Sequence, residues 1–147
     1  MKKPVIVARK WLGLSRYTFL EEDCCPPLIV NCYNFVHWVY AQCGIFVPKS
    51  LADQLYVGMP IIFSGLWQDG DLIFRGESHW GAYYDNDRAK EGVGHVGILT
   101  SDQTVIHASW KDGTVVEETL EKFFASGSKN SRFRGVYRIS KEGNIVY

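Results

Sequence analysis

Residues 31 to 40 read Asn-Cys-Tyr-Asn-Phe-Val-His-Trp-Val-Tyr, a cysteine followed by apolar residues at helical spacing. On a helix, Phe35, Val36, Val39 and Cys43 fall within about 60° of Cys32, so this face of the segment is expected to pack inward. Asn31 is a favourable N-cap, because its side-chain oxygen can accept a hydrogen bond from an amide of the first turn. The pattern predicts a helix that begins at Cys32 and is closed by Gly44.

Cys32 would occupy the first position of this helix. There the positive end of the helix dipole stabilises a thiolate over a thiol, and the thiolate is the nucleophilic form. A structural role is the alternative, since free cysteine is among the most buried residue types. The choice between nucleophile and core residue depends on the rest of the chain.

Two short apolar segments downstream read as strands, at residues 94–99 and 104–109. The polar turn between them predicts a β-hairpin. In an antiparallel pair the position numbers of facing residues have a constant sum, so a three-residue loop at 100–102 would pair Leu99 with Gln103.

The same register would place His95 directly opposite His107. Directly opposed residues carry their Cβ atoms about 5 Å apart, which lets two imidazoles hydrogen-bond. A nucleophile, a base and a group that orients the base are what cysteine hydrolysis needs. The hairpin therefore favours the catalytic interpretation of Cys32.

In combination, these segments resemble the NlpC-type cysteine endopeptidases, papain-like enzymes that cut peptide stems of bacterial cell walls. In that family a cysteine opens a helix, a Gly-Asp-Leu strand follows, and a His-Val-Gly-Ile strand and an Ile-His-Ala strand come last. The matching segments here are Cys32 to Gly44, Gly70 to Phe74, His95 to Ile98 and Ile106 to Ala108.

The resemblance implies a role for each of four residues. Cys32 is the nucleophile, His95 is the general base that later protonates the leaving amine, and His107 orients the ring of His95. Tyr17 lies in a segment similar to the one whose tyrosine hydroxyl helps to form the oxyanion hole in the family. Preorganised donors of this kind stabilise the charge that develops on the carbonyl oxygen.

Two residues beside the nucleophile depart from the family pattern. Asn31 and Tyr33 stand where the family usually has aspartate and serine. In the family those two residues help to recognise the free amine of an L-Ala-γ-D-Glu stem. Asn31 retains the capping function but not the negative charge. We expect Asn31 and Tyr33 to contact the substrate, and the departures leave its exact identity open.

The segment 75–94 has no clear period and carries Trp80 and Tyr83. Structureless loops of this length are usually functional or disordered. We expect a lid over the cleft whose two aromatic side chains contact substrate. The alternative is a satellite cluster that packs on the sheet.

The bulk composition is that of an ordinary globular protein, with 147 residues, 46% of them apolar and 22% charged. This length predicts one domain over residues 1–147. Sixteen basic side chains balance sixteen acidic ones, so the charge gives no support for binding to nucleic acid or to an anionic membrane. The oligomeric state has no signature in the sequence.

The four cysteines favour reduced thiols over disulfides or a metal site. On one helix Cys32 and Cys43 would lie about 16 Å apart along the axis, beyond the reach of a disulfide. Cys24 and Cys25 are adjacent, and their spacing to Cys32 is not a zinc pattern. No metal or other cofactor is expected, and the redox state favours the cytosol.

The N-terminus agrees with a cytoplasmic location. Lys2 and Lys3 precede a short run of apolar and small residues that Arg9 interrupts, and this run is shorter than a signal-peptide core. No apolar run approaches the length that spans a bilayer. Export without a readable signal, or removal of a signal, are the alternatives.

The order of elements predicts an α+β fold of the papain-like arrangement, with N-terminal helices packed on an antiparallel sheet that carries the histidines. The further predicted elements are a helix at 4–13, a helix from Ser50 to Gly58, a central strand at 72–74, a strand at 114–117, a helix at 120–125 capped by Thr119 and a strand at 134–139.

Three functions follow from these observations. The first is a cysteine peptidase or amidase acting on small peptides or muropeptides, with a γ-D-glutamyl-diamino acid bond implied by the resemblance. The second is a thioester-forming acyltransferase or lipid hydrolase related to lecithin-retinol acyltransferase, in which the histidine precedes the cysteine in the chain. Here Cys32 comes first, which argues against it. The third is a binding module without catalysis.

Overall fold

The computed structural model describes residues 2–76, 93–126 and 132–140. The helices in these ranges are α1 (Pro4–Arg9), α2 (Cys32–Gln42), α3 (Leu51–Val57) and α4 (Leu120–Ala125). The strands are β1 (Arg16–Tyr17), β2 (Ile29–Val30), β3 (Met59–Pro60), β4 (Leu72–Arg75), β5 (His95–Leu99), β6 (Thr104–Ser109), β7 (Thr114–Thr119) and β8 (Phe133–Arg138). Among these helices, none combines the length and the apolar character needed to cross a membrane.

The described strands form one sheet in the order β2-β1-β7-β6-β5-β4-β8-β3. Neighbouring strands run antiparallel, except that β1 and β2 run parallel. Helices combined with a mostly antiparallel sheet agree with the prediction from the order of elements. Strand β4 lies between β5 and β8, which confirms it as a central strand.

Apolar side chains cover both faces of this sheet, because successive residues of a strand point to opposite faces. On one face, α1, α2 and α3 pack over a cluster that includes Leu72, Phe74, Val96, Ile98, Ile106 and Ala108. On the other face, Phe123 of α4 packs on the intervening residues Ile73, Leu99, Val105 and Val136. Helix α2 therefore sits directly against β5 and β6.

The start of α2 is fixed by a reciprocal cap. The side chain of Asn31 accepts a hydrogen bond from the Asn34 amide at 2.9 Å, and the side chain of Asn34 accepts one from the Asn31 amide at 2.8 Å. Gly44 follows the C-cap residue with a φ of 75°, the left-handed conformation that glycine adopts readily. Both predicted helix ends are confirmed.

The two other predicted caps are also present. Ser50 accepts from the Asp53 amide at 3.1 Å, and Thr119 accepts from the Lys122 amide at 3.2 Å. These contacts satisfy amides that have no partner within their own helix.

The first helix is shorter than predicted, since α1 ends at Arg9 rather than at residue 13. Its continuation forms tight turns, such as the hydrogen bond from the Trp11 amide to the Ala8 carbonyl at 3.0 Å. Gly13 donates its amide to the Val115 carbonyl of β7 at 2.9 Å. Pairing with the sheet therefore replaces the last turn of the predicted helix.

The hairpin register differs from the predicted one by two residues. Leu99 pairs with Val105 instead of Gln103, because the loop is longer than three residues. The Thr100 amide donates to the Thr104 carbonyl at 2.9 Å and closes a turn in which Gln103 has a φ of 61°. A shift of two residues leaves every side chain on its predicted face.

As a consequence, His95 and His107 share a face but are not directly opposite each other. The observed register places Gly97 opposite His107. A Cβ atom at position 97 would lie 2.3 Å from Cγ1 of Val105 and 3.2 Å from Cβ of His107. The absence of a side chain at Gly97 thus makes room for the side chain of Val105 and for Cβ of His107.

We predict that Gly97→Ala destabilises the protein by about 1–3 kcal/mol, because the methyl group overpacks a region bounded by a stiff valine. Urea denaturation would measure this change. Gly65→Ala is the matched control, since a Cβ there meets nothing within 4 Å. Equal stability of the two variants would contradict the assigned role of Gly97.

Candidate active site

The imidazoles of His95 and His107 are hydrogen-bonded to each other on one face of the sheet. Nε2 of His95 lies 2.8 Å from Nδ1 of His107, and the rings meet edge to face with their centroids 4.9 Å apart. His95 is 3% exposed and His107 is 1% exposed. The predicted contact between the two histidines is therefore present despite the changed register.

The carboxylate of Glu118 forms a further hydrogen bond with this histidine pair. Nε2 of His107 lies 2.8 Å from Oε1 of Glu118, and the Ser126 hydroxyl donates to the same oxygen at 3.1 Å. The sequence reasoning missed Glu118. The alternation of side chains along β7 could have identified it. Val116 pairs with His107, and residue 118 lies on the same face of the strand as Val116. The register needed to use that signal is not encoded locally.

An aromatic ring and a buried cation complete the surroundings of the histidines. Phe123 packs against both rings, with its centroid 5.9 Å from that of His95 and 4.9 Å from that of His107. Arg75 is 2% exposed, lies over the Phe123 ring at 4.5 Å and donates to the Phe123 carbonyl oxygen. The sequence reasoning did not identify either residue.

These surroundings keep the two imidazoles neutral near pH 7. Burial lowers the pKa of His95 well below its ordinary value, and the charge of Arg75 adds to this effect. Burial also lowers the pKa of His107, although the hydrogen bond to Glu118 opposes the change. That hydrogen bond in turn lowers the pKa of Glu118, so the carboxyl group is ionised.

Cys32 lies at the first position of α2, where the sequence places it, and is 2% exposed. It belongs to the cluster between α2 and the sheet. His95 and His107 project from the opposite face, beside Phe123, as the alternation along β5 and β6 requires. His95 is the first residue of β5, so its ring lies at the end of the sheet where that strand begins.

Three of the predicted residues line one cleft of about 620 Å³, namely Tyr17, Asn31 and Tyr33. Sheet pairing brings them together, because Tyr17 pairs with Val30, the residue before Asn31. The remaining lining residues are Phe19, Leu20, Glu21, Glu22, Lys49, Ser50, Leu51 and Ala52. The cleft therefore opens beside the start of α2.

Tyr33 forms an uncharged wall of this cleft. Burial, followed by the nearby charge of Glu21, raises the pKa of Tyr33 to about 12. Gln54 donates to the Tyr33 carbonyl at 2.8 Å and to the Pro48 carbonyl at 2.9 Å. These two bonds fix the start of α2 relative to the loop that precedes α3.

The predicted contacts from Trp80 and Tyr83 lie outside the described residues. The same holds for most of the segment 75–94, which was expected to form a lid.

The buried histidines generate a prediction for the pH dependence of stability. In the unfolded chain each imidazole binds a proton near pH 6.5, whereas the folded protein keeps both rings neutral to lower pH. The unfolded state therefore binds more protons in this window, and the free energy of unfolding falls as the pH is lowered through about 6.5. We expect a loss of up to about 1.4 kcal/mol per pH unit for each ring.

Urea denaturation between about pH 7.5 and 5.5 would test this loss. His95→Asn and His107→Asn should each give a shallower dependence than the wild-type protein. A free energy of unfolding that stays constant across this range would contradict the burial of neutral rings.

The sequence matches the NlpC/P60 family over residues 13–132. A probable endopeptidase of Corynebacterium glutamicum is 30% identical over 95 residues, which cover 65% of this chain and 38% of that protein. The chain thus spans well under half of that relative's length.

Solved structures with a similar fold include two that bear on function. The NlpC/p60 domain of the peptidoglycan hydrolase SagA superimposes with a TM-score of 0.65 at 23% identity, covering 92% of this chain and 96% of that one. RipD of Mycobacterium tuberculosis, a non-catalytic NlpC/p60 domain protein, gives a TM-score of 0.64 at 12% identity, covering 93% and 95%. Together with the sequence match over most of its length, these likenesses confirm the predicted resemblance, and the chain belongs to the NlpC/P60 family.

Proposed function

We propose that this protein is a cysteine peptidase or amidase that hydrolyses small peptides derived from bacterial cell walls, with Cys32 as its nucleophile. The observation that carries the proposal is the buried, hydrogen-bonded pair of His95 and His107. It supplies a base and a group that orients the base, the two parts that a cysteine nucleophile needs. Membership of a family with relatives named as endopeptidases and peptidoglycan hydrolases supports the same reaction.

The proposed reaction uses the ring nitrogen of His95 that His107 does not occupy. Because Nε2 contacts His107, Nδ1 is the atom that takes the proton from the Cys32 thiol. The thiolate then attacks the peptide carbonyl, and the new imidazolium returns its proton to the leaving amine. Water, deprotonated by the same nitrogen, hydrolyses the thioester and regenerates the thiol. The proposal requires the thiol of Cys32 to reach the ring of His95 at the end of the sheet where β5 begins.

The oxyanion of each tetrahedral intermediate needs hydrogen-bond donors. The hydroxyl of Tyr17, which lines the cleft, is one proposed donor. The backbone amide of Cys32, at the first position of α2 where amides point towards a bound anion, is the other proposed donor.

The lining of the cleft supports a peptide substrate that differs in detail from that of the wider family. Asn31 and Tyr33 line the cleft without adding a negative charge. Glu21, Glu22 and Lys49 add charges of both signs to the same lining. A small peptide with a free amine and a free carboxylate suits such a lining. By resemblance, the proposed bond is the one between γ-D-glutamate and the following diamino acid.

Burial of Cys32 favours a second candidate function, binding of peptidoglycan fragments without hydrolysis. A thiol that is 2% exposed reacts with a bound substrate only if the cleft opens towards it. RipD, described as adapted to peptidoglycan binding, is an example of this function on a similar fold.

We predict that Cys32→Ala lowers hydrolysis by about 10³-fold or more, because the nucleophile is removed. Mass spectrometry of products from a panel of muropeptides and ordinary dipeptides would measure this loss. Cys43→Ala is the matched control, since it removes another buried thiol of the same segment and should leave turnover intact. Binding of muropeptides by the wild-type protein without any product would support the second candidate function instead.

We predict that Tyr17→Phe lowers kcat by about 10²-fold with little change in KM, because a transition-state donor is lost and the aromatic ring remains. Steady-state kinetics on the best substrate of the panel would show this split. Tyr56→Phe removes a hydroxyl from an exposed tyrosine of α3 that does not line the cleft, and it should leave kcat unchanged. A kcat for Tyr17→Phe equal to that of the wild type would remove Tyr17 from the oxyanion hole.

A further inference from the structure

The two imidazoles have a defined donor and acceptor at every contact, and Glu118 is the origin of that order. An ionised carboxylate only accepts hydrogen bonds, so Nε2 of His107 must donate to Glu118. A neutral imidazole carries one N–H group, which leaves Nδ1 of His107 as an acceptor. Nε2 of His95 must therefore donate to it, and the lone pair of His95 resides on Nδ1.

We propose that Glu118 is a positioning residue that acts through His107 to keep the lone pair of His95 on Nδ1 and to compensate the positive charge that arises when His95 takes a proton. This inference rests on the proposed function, in which Nδ1 of His95 is the base. It extends the reacting group from three residues to a chain of four. Glu118 itself contacts neither substrate nor thiol.

Burial makes this arrangement effective. His95 and His107 are 3% and 1% exposed, so bulk water competes little for their hydrogen bonds. The side chain of Glu118 is 13% exposed, and the Ser126 hydroxyl holds its Oε1 in place at 3.1 Å. At low exposure a charge–charge interaction is screened much less than at the surface.

The charges around the pair have opposite effects on an imidazolium. Arg75 of β4, packed over Phe123, disfavours a second positive charge on either ring. Glu118 of β7 favours it, and Asp112 in the turn between β6 and β7 adds a weaker effect in the same direction. Glu118 is the one of these carboxylates that hydrogen-bonds to the pair. Without Glu118, the effect of Arg75 on the pKa of His107 would exceed the opposing effect of Asp112.

The test compares Glu118→Gln with Glu117→Gln. Glutamine at 118 keeps the shape, removes the charge and can donate its amide to Nε2 of His107, which moves the protons of both rings to Nδ1. Glu117 is the neighbour on the same strand, points to the other face and pairs with Arg9 and Thr104, so its variant controls for the loss of one negative charge. Imidazole ¹⁵N chemical shifts of the resting protein report which nitrogen carries each proton.

For the wild type and Glu117→Gln we expect protons on Nε2 of both rings. For Glu118→Gln we expect the proton of His95 on Nδ1 and kcat/KM lower by about 10²–10⁴-fold, the contribution that a correctly protonated general base makes. The acid limb of its pH profile should move to lower pH, because an imidazolium without Glu118 loses its proton more easily. Glu118→Asp retains an acceptor-only group and should restore part of the activity.

A proton on Nδ1 of His95 in the resting wild-type protein would overturn the inference. So would chemical shifts and a pH profile of Glu118→Gln that match those of Glu117→Gln. Should Glu118→Gln fail to fold, the wild-type shifts and the profile of Glu118→Asp still decide the question. If the wild type hydrolyses nothing, the proposed function fails, while the ¹⁵N shifts still test the order of protons separately.

Discussion

The hydrogen bond between the buried imidazoles of His95 and His107 imposes strict requirements on the sheet around it. Each ring loses its hydration, so every ring nitrogen needs a defined partner and any charge needs a counter-charge. The sheet meets these needs by supplying His95 from β5, His107 from β6 and Glu118 from β7, three consecutive strands. Close approach of the strands is possible because Gly97 leaves space beside His107.

The helix that carries the cysteine is fixed by a separate set of contacts. Asn31 and Asn34 cap its first turn reciprocally. Gln54 donates hydrogen bonds to the Tyr33 carbonyl of α2 and to the Pro48 carbonyl in the loop before α3. The short parallel pairing of β1 with β2 brings Tyr17 to the same place. As a result, the start of α2 forms one wall of a cleft whose other walls come from distant parts of the chain. A rigid scaffold of this kind holds reactive groups more precisely than a loop does.

The helix caps and the hairpin strands could be predicted from the sequence, because the patterns that identify them span only a few residues. The caps of α2, α3 and α4 are short-range hydrogen bonds between residues three positions apart, so Asn31, Ser50 and Thr119 identify them directly.

The hairpin strands follow from their apolar runs and the polar turn. The predicted register was wrong by two residues, since the loop is longer than three residues. The histidines still share a face, because side chains alternate with a period of two. The first helix ended early because its last turn pairs with β7 instead.

Local signals in the chain were enough to predict the family, the helix that begins at Cys32 and a histidine on each of two paired strands, because helix capping and strand alternation act over a few residues. Long-range packing was needed to show that Glu118 completes the histidine pair, that Arg75 and Phe123 surround it, and that Tyr17, Asn31 and Tyr33 share one cleft. These contacts join residues far apart in the chain. Their positions depend on strand order and register, which emerge from the packing of the whole sheet rather than from any single segment.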